Sequence, residues 1–180
     1  ERGVPFFAME FVEGCTLAQV IDELAKQPVT KLTGADLLAV VDRLAPRPRD
    51  ANETSTRLGV MPDASWNDTV VRLVRQVADA LEHTHSRGVV HRDIKPSNIV
   101  ITRSGRAMLI DFGLAAKEGG ERITRSGSAG GSAAYMSPEQ ANGGDVDARS
   151  DIYSLGVTFA ELLTLRQVFE GSSINLVWQA

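Results

Sequence analysis

The sequence predicts an α+β fold in which helices dominate and one short β-hairpin is set among them. Two observations carry this. Stretches 16–27, 34–44 and 66–87 repeat apolar residues at three- and four-residue steps, and 150–165 is mostly apolar, as expected of helices with a buried face. Between the last two lie the β-branched run 98–102 and the apolar run 107–110, with Ser104-Gly105 as a turn. Composition agrees with one domain. The chain has 180 residues, of which 43% are hydrophobic and 23% charged, ordinary for a globular protein with a core. A net charge of −4 gives no electrostatic case for nucleic acid or an anionic membrane. No apolar run in these residues is long enough to span a bilayer, and none reads as a signal peptide. The single cysteine, Cys15, excludes an internal disulfide and fits a reducing, cytoplasmic setting.

Taken in order, Pro5–Phe11 reads as a strand that ends at Glu13-Gly14. Thr16-Leu-Ala-Gln19 fits a capping box, and Leu17, Val20, Ile21 and Leu24 form the stripe of a helix that Pro28 closes. Leu37, Leu38, Val41 and Leu44 mark a second helix, Gly34 to Leu44. The polar, proline-broken stretch after it, 45–56, reads as a mobile loop. In 66–87 the recurring set is Val70, Leu73, Val74, Val77, Leu81 and His85, with Gly88 as the stop. Pro96 keeps 91–98 from being helical. Residues 118–131 are rich in Gly, Ser and Arg without periodicity, and read as a flexible loop. There is no internal repeat.

The chemistry concentrates in His91-Arg-Asp-Ile-Lys-Pro-Ser-Asn98 and Asp111-Phe-Gly113. A hairpin between them brings Asn98 and Asp111 to one end, although they lie thirteen positions apart. Both offer hard oxygen donors of the kind Mg²⁺ prefers. Asp93 lies on the loop within reach of a hydroxyl, and Lys95 can meet a phosphate as a point charge. A carboxylate for the nucleophile, oxygen ligands for a divalent ion and a cation for phosphate charge together suit phosphoryl transfer.

These two motifs resemble the H-R-D-x-x-x-x-N and D-F-G of eukaryotic-type protein kinases. Phe6-Phe-Ala-Met-Glu-Phe-Val-Glu-Gly14 resembles the fifth strand and hinge of that family. Gly131-Ser-Ala-Ala-Tyr-Met-Ser-Pro-Glu139 resembles the end of the activation segment, and Asp151-Ile-Tyr-Ser-Leu-Gly-Val157 the buried helix after it. The wording is similar to bacterial kinases, and Lys95-Pro96 favours serine/threonine over tyrosine specificity. The resemblance implies a protein-kinase-like fold, mainly the helical C-lobe with the catalytic-loop hairpin and one N-lobe strand plus hinge. By it, 1–15 are the end of the N-lobe and hinge and 16–180 the C-lobe, with an insertion at 29–65 and the activation segment at 111–139. A glycine-rich loop, strand lysine and glutamate partner would precede residue 1, and further helices would follow residue 180. The chain therefore reads as a fragment, expected to be inactive by itself.

The resemblance also implies roles. Asp93 orients the substrate hydroxyl or accepts its proton. Lys95 contacts the γ-phosphate, and Asn98 and Asp111 hold Mg²⁺. Met9 is the gatekeeper of the adenine pocket, the backbone of Glu10 and Val12 binds the adenine edge, and Val100 packs under the ring. ATP and Mg²⁺ are the implied cofactors, and proteins bearing Ser or Thr the substrates. His91 reads as a packed histidine that stacks with Phe112, tied to Asp151. Arg92 suggests activation by loop phosphorylation at Thr124, Ser126 or Ser128, with self-association as a route, while Ser132 is expected to hydrogen-bond Asp93 and Lys95. Glu139 is expected to lack its partner, an arginine beyond residue 180, and Ser137 stands where the family's motif has Ala. The competing readings are a non-catalytic kinase-like scaffold, against which the complete Asp93, Lys95, Asn98 and Asp111 argue, and a small-molecule phosphotransferase. Lys95-Pro96 and Ala134-Tyr-Met-Ser-Pro-Glu139 argue against the latter.

Overall fold

A computed structural model of the chain describes residues 12–46, 59–112 and 133–169. The strand expected at 5–11, the loop expected at 118–131 and most of that expected at 45–56 lie outside these residues. What is described is mainly helical, with a small three-stranded antiparallel sheet.

Strand β1, Gly14–Thr16, runs directly into helix α1, Leu17–Leu24. Thr16 caps α1 as its spacing to Gln19 predicts: Gln19 N–H donates to Thr16 Oγ1 (3.3 Å) and Thr16 N–H to Gln19 Oε1 (2.9 Å). The helix ends at Leu24 rather than 27. Gln27 N–H bonds Leu24 O in a tighter turn, and Pro28 is already extended. After a 3₁₀ turn at Val29–Lys31 comes helix α2, Gly34–Leu44, with the bounds its stripe predicts. Thr33 N–H donates to Asp36 Oδ2 (2.9 Å), a second capping box.

Helix α3, Trp66–His85, is capped by Ser65 and stopped by Gly88 at φ 74°, a conformation glycine adopts without strain. The loop from Gly88 passes through a 3₁₀ turn, Pro96–Asn98, into strand β2, Ile99–Thr102, and strand β3, Ala107–Leu109. Helix α4, Pro138–Asn142, and helix α5, Ala148–Thr164, complete the described chain.

The sheet order is β1-β2-β3, with Cys15 opposite Ile101 and Val100 opposite both Thr16 and Met108. Strand β1 was not legible as a strand, because three residues carry no period. The core joins Leu17, Val20, Ile21 and Leu24 of α1, Leu37, Leu38 and Val41 of α2, Leu73, Val77 and Leu81 of α3, and Ile99 and Ile101 of β2. Each such aliphatic side chain contributes about 1.5–3 kcal/mol by leaving water. Helix α3 lies along α5, and Trp66 Nε1–H donates to Leu162 O (3.0 Å) across that contact. Helix α2 belongs to this core, although its sequence fits the surrounding motifs poorly. Among the described residues no helix is long and apolar enough to cross a membrane.

Candidate active site

The loop 91–98 is held from behind by one buried carboxylate. Asp151, in the first turn of α5, is 1% exposed. Its Oδ1 accepts the Arg92 N–H (2.7 Å), while its Oδ2 accepts the His91 N–H (2.8 Å) and bonds His85 Nε2 (2.7 Å). A buried carboxylate with this many partners is satisfied, and it satisfies two backbone groups of a loop that has no ladder to pair with. His91 is fully buried. Its Nε2 meets Ile110 O (3.1 Å), and its ring lies 4.7 Å from that of Phe112. His91 is therefore the packed histidine its apolar surroundings predict. His85 differs from its reading as part of an apolar stripe: it is the side of α3 that meets Asp151.

Asp93, Lys95 and Asn98 come together in front of this anchor. Lys95 Nζ lies 2.7 Å from Asp93 Oδ2, and Asn98 Nδ2–H donates both to Asp93 Oδ2 (2.8 Å) and to Asp93 O (2.8 Å). Asn98 is buried, whereas Asp93 and Lys95 are half-buried. The amide nitrogen of Asn98 is committed to Asp93, so Oδ1 is its remaining group for a cation. Asn98 and Asp111 are drawn to the same end of the hairpin by the Ile110 N–H to Asn98 O bond (3.0 Å). The turn at the far end is made by Gly105 at φ 77°. There the chain passes so close that a Cβ on Gly59 would fall 1.8 Å from Gly105 O.

Two non-glycine residues of the site are left-handed, Arg92 at φ 69° and Asp111 at φ 57°. Such conformations cost about 1–3 kcal/mol each and persist where neighbours enforce them. For Arg92 the Asp151 bond is one such constraint. Exposed Asp111 presents its carboxylate from this strained position. Among the described residues no group of three or more His, Cys, Asp and Glu gathers. An amide oxygen and a carboxylate are the hard donors at this end of the hairpin, and they fit an ion that keeps several of its waters, as Mg²⁺ does.

Beside the loop, a cleft of about 410 Å³ opens between α1 and the 3₁₀ turn at 96–98, lined by Asp22, Lys95, Asn98, Tyr135 and Glu161 among others. Tyr135 OH donates to Glu161 Oε2 (2.5 Å). Burial pushes the Glu161 carboxyl up, partly offset by that hydroxyl and reinforced by Asp22. Burial, then the Glu161 bond, pushes the Tyr135 phenol up as well.

Val100 is buried in the central strand, and Val12 is half-buried just before β1. Met9, Glu10, Gly113, Thr124, Ser126, Ser128 and Ser132 lie outside the described residues. Glu139, expected to lack its arginine, is not left bare: Ser150 Oγ–H donates to Glu139 Oε1, and this bond lowers the carboxyl's pKa. Helix α4 was missed in the sequence, although Ser137-Pro-Glu-Gln140 carries its signal: a capping box with proline at the first helical position.

The protein kinase domain profile matches residues 52–179. The chain belongs to the protein kinase family. Similar proteins include the probable serine/threonine-protein kinase SCO3848 of Streptomyces coelicolor, 34% identical over 172 residues that make up 94% of this chain and 20% of that protein. The serine/threonine-protein kinase PknL of Mycobacterium tuberculosis is 35% identical over 176 residues, 97% of this chain and 35% of its own. PrkC of Bacillus subtilis, also a serine/threonine-protein kinase, is 45% identical over 103 residues, 57% of this chain and 16% of its own. The chain thus spans roughly a fifth to a third of the length of the first two relatives. Kinases of this family generally use ATP and Mg²⁺.

Proposed function

We propose that this chain is part of a serine/threonine protein kinase that transfers the γ-phosphate of ATP to Ser or Thr hydroxyls of protein substrates. The observation that carries the reading is the convergence of Lys95 and Asn98 on one oxygen of Asp93, on a loop whose hairpin also delivers Asp111. With Oδ2 so engaged, we assign Asp93 Oδ1 to the substrate hydroxyl, which it orients and whose proton it accepts as the new O–P bond forms. Lys95 offsets negative charge on the transferred phosphoryl group, and ADP leaves. Asn98 and Asp111 would hold Mg²⁺, which supplies charge neutralisation on the phosphates. Catalysis here is positioning and electrostatics, without a covalent intermediate.

The remaining assignments follow the same reading. Met9, with the backbone of Glu10 and Val12, lines the adenine site, and Val100 closes it from below. Residues 1–15 are the end of the N-lobe and hinge, 16–180 belong to the C-lobe, 29–65 are an insertion, and 111–139 are the activation segment. The lone Cys15 supports a cytoplasmic location, and self-association is the route to loop phosphorylation. The test is Asp93→Asn in the full-length protein, with transfer of labelled γ-phosphate to a protein substrate as the readout. Loss of at least about two orders of magnitude in kcat is expected for a group worth this much in proton transfer. Retained transfer rejects the assignment and favours a scaffold.

A further inference from the structure

Arg92, the residue that leads into Asp93, is gripped on both of its peptide units. Arg92, left-handed at φ 69°, donates its N–H to Asp151 Oδ1 (2.7 Å), and its carbonyl accepts Gln140 Nε2–H (2.7 Å). Asp151 belongs to α5, whereas Gln140 belongs to α4, which closes the segment 133–142. The two supports for this one strained residue come from different helices.

The orientation of the Gln140 amide is not arbitrary. Its Oε1 accepts the Ser137 N–H (3.1 Å), completing the capping box of α4, while Nε2 faces a carbonyl that can only accept. An amide turned end for end would break both bonds, so each partner fixes the same assignment. One side chain thus does two separable things: its oxygen caps a helix, and its nitrogen holds the Arg92–Asp93 peptide plane.

We propose that Gln140 is a positioning residue for Asp93, acting through the Arg92 carbonyl. It does not touch the reacting groups. It sets the direction from which the Asp93 carboxylate enters the site, and it ties that direction to α4. This rests on the reading of Asp93 as the residue that meets the hydroxyl.

Two substitutions separate the roles. Gln140→Glu keeps the capping oxygen, since Glu is an ordinary partner at that position, but at neutral pH it has no proton to donate to Arg92. Gln140→Lys keeps a donor and loses the cap. In the full-length protein, Gln140→Glu is expected to lower the thermal midpoint less than Gln140→Lys does, lower kcat about tenfold or more and change KM for ATP little. The deficit should shrink as the pH falls toward the carboxyl's pKa and the acid becomes a donor. Gln140→Lys is expected to lower the midpoint while keeping most of kcat. Hydrogen exchange of the Arg92 and Asp93 amides should be faster in Gln140→Glu alone. Equal kcat and equal exchange in Gln140→Glu and the unaltered protein, or equal losses in both variants, overturn the proposal. Asp93→Asn serves as the control. If it retains activity, the kinase reading fails, and the exchange measurement still decides whether Gln140 holds the loop.

Discussion

Ser137 stands where the family's motif has Ala, and its hydroxyl serves the helix that follows. Its Oγ accepts the Gln140 N–H and so caps α4. Glu161 is a less comfortable residue. It is 7% exposed, and burial raises its pKa more than the Tyr135 hydroxyl lowers it. A carboxyl with a raised folded pKa contributes stability that is fully present below the unfolded pKa and is lost as pH rises through the folded one. Glu161→Gln removes this penalty while keeping an acceptor for Tyr135. It should therefore raise the unfolding midpoint at neutral pH, and the gain should vanish below about pH 4, where glutamate is protonated in both states. Thermal unfolding followed across that range checks the sign; a gain that grows on acidification would be incompatible with it.

At the scale of elements, the hairpin that delivers Asn98 and Asp111 is braced by its neighbours. Strand β1 pairs along β2, and Gln76 of α3 accepts the Ala107 N–H (3.1 Å). Arg103, at the turn, donates to Ala45 O (2.7 Å) and Asp42 O (3.2 Å), so a cation caps the C-terminal carbonyls of α2. Helix α2 is therefore a supporting member, not an appendage. Leu37, wholly buried on its inner face, makes this testable. Leu37→Ala should lose about 2–5 kcal/mol through transfer and cavity terms, measured by urea unfolding. A loss under about 0.5 kcal/mol would place α2 among surface features.

Across the whole molecule, Asp151 links three parts: α5, which carries it; α3, through His85; and the loop of Asp93, through two backbone amides. Asp151→Ala strands the His91 and Arg92 N–H donors and should cost about 1–3 kcal/mol for a buried donor left unsatisfied. Asp151→Asn, which can still accept, should cost less. Both should speed hydrogen exchange of the His91 and Arg92 amides. Unchanged exchange in Asp151→Ala would mean that the loop is held by other means.

Much of this architecture was readable from the chain alone, because the signals are local. Thr16 and Gln19, the stripe of α2, the stop at Gly88 and the turn at Ser104-Gly105 each depend on residues within a few positions of one another, where backbone geometry dictates periods and caps. The loop and hairpin motifs carried the candidate site for the same reason: Asp93, Lys95 and Asn98 meet across five positions. The tertiary structure alone decided β1, the His85–Asp151 pair, the Ser150–Glu139 bond and the tie from Gln140 to Arg92. The two partners in that tie are 48 positions apart and those of the histidine pair 66. No periodicity spans such distances; packing of α3, α4 and α5 around the loop brings these side chains within reach, and the histidine pair also satisfies a carboxylate, Asp151, that burial would otherwise leave unpaired.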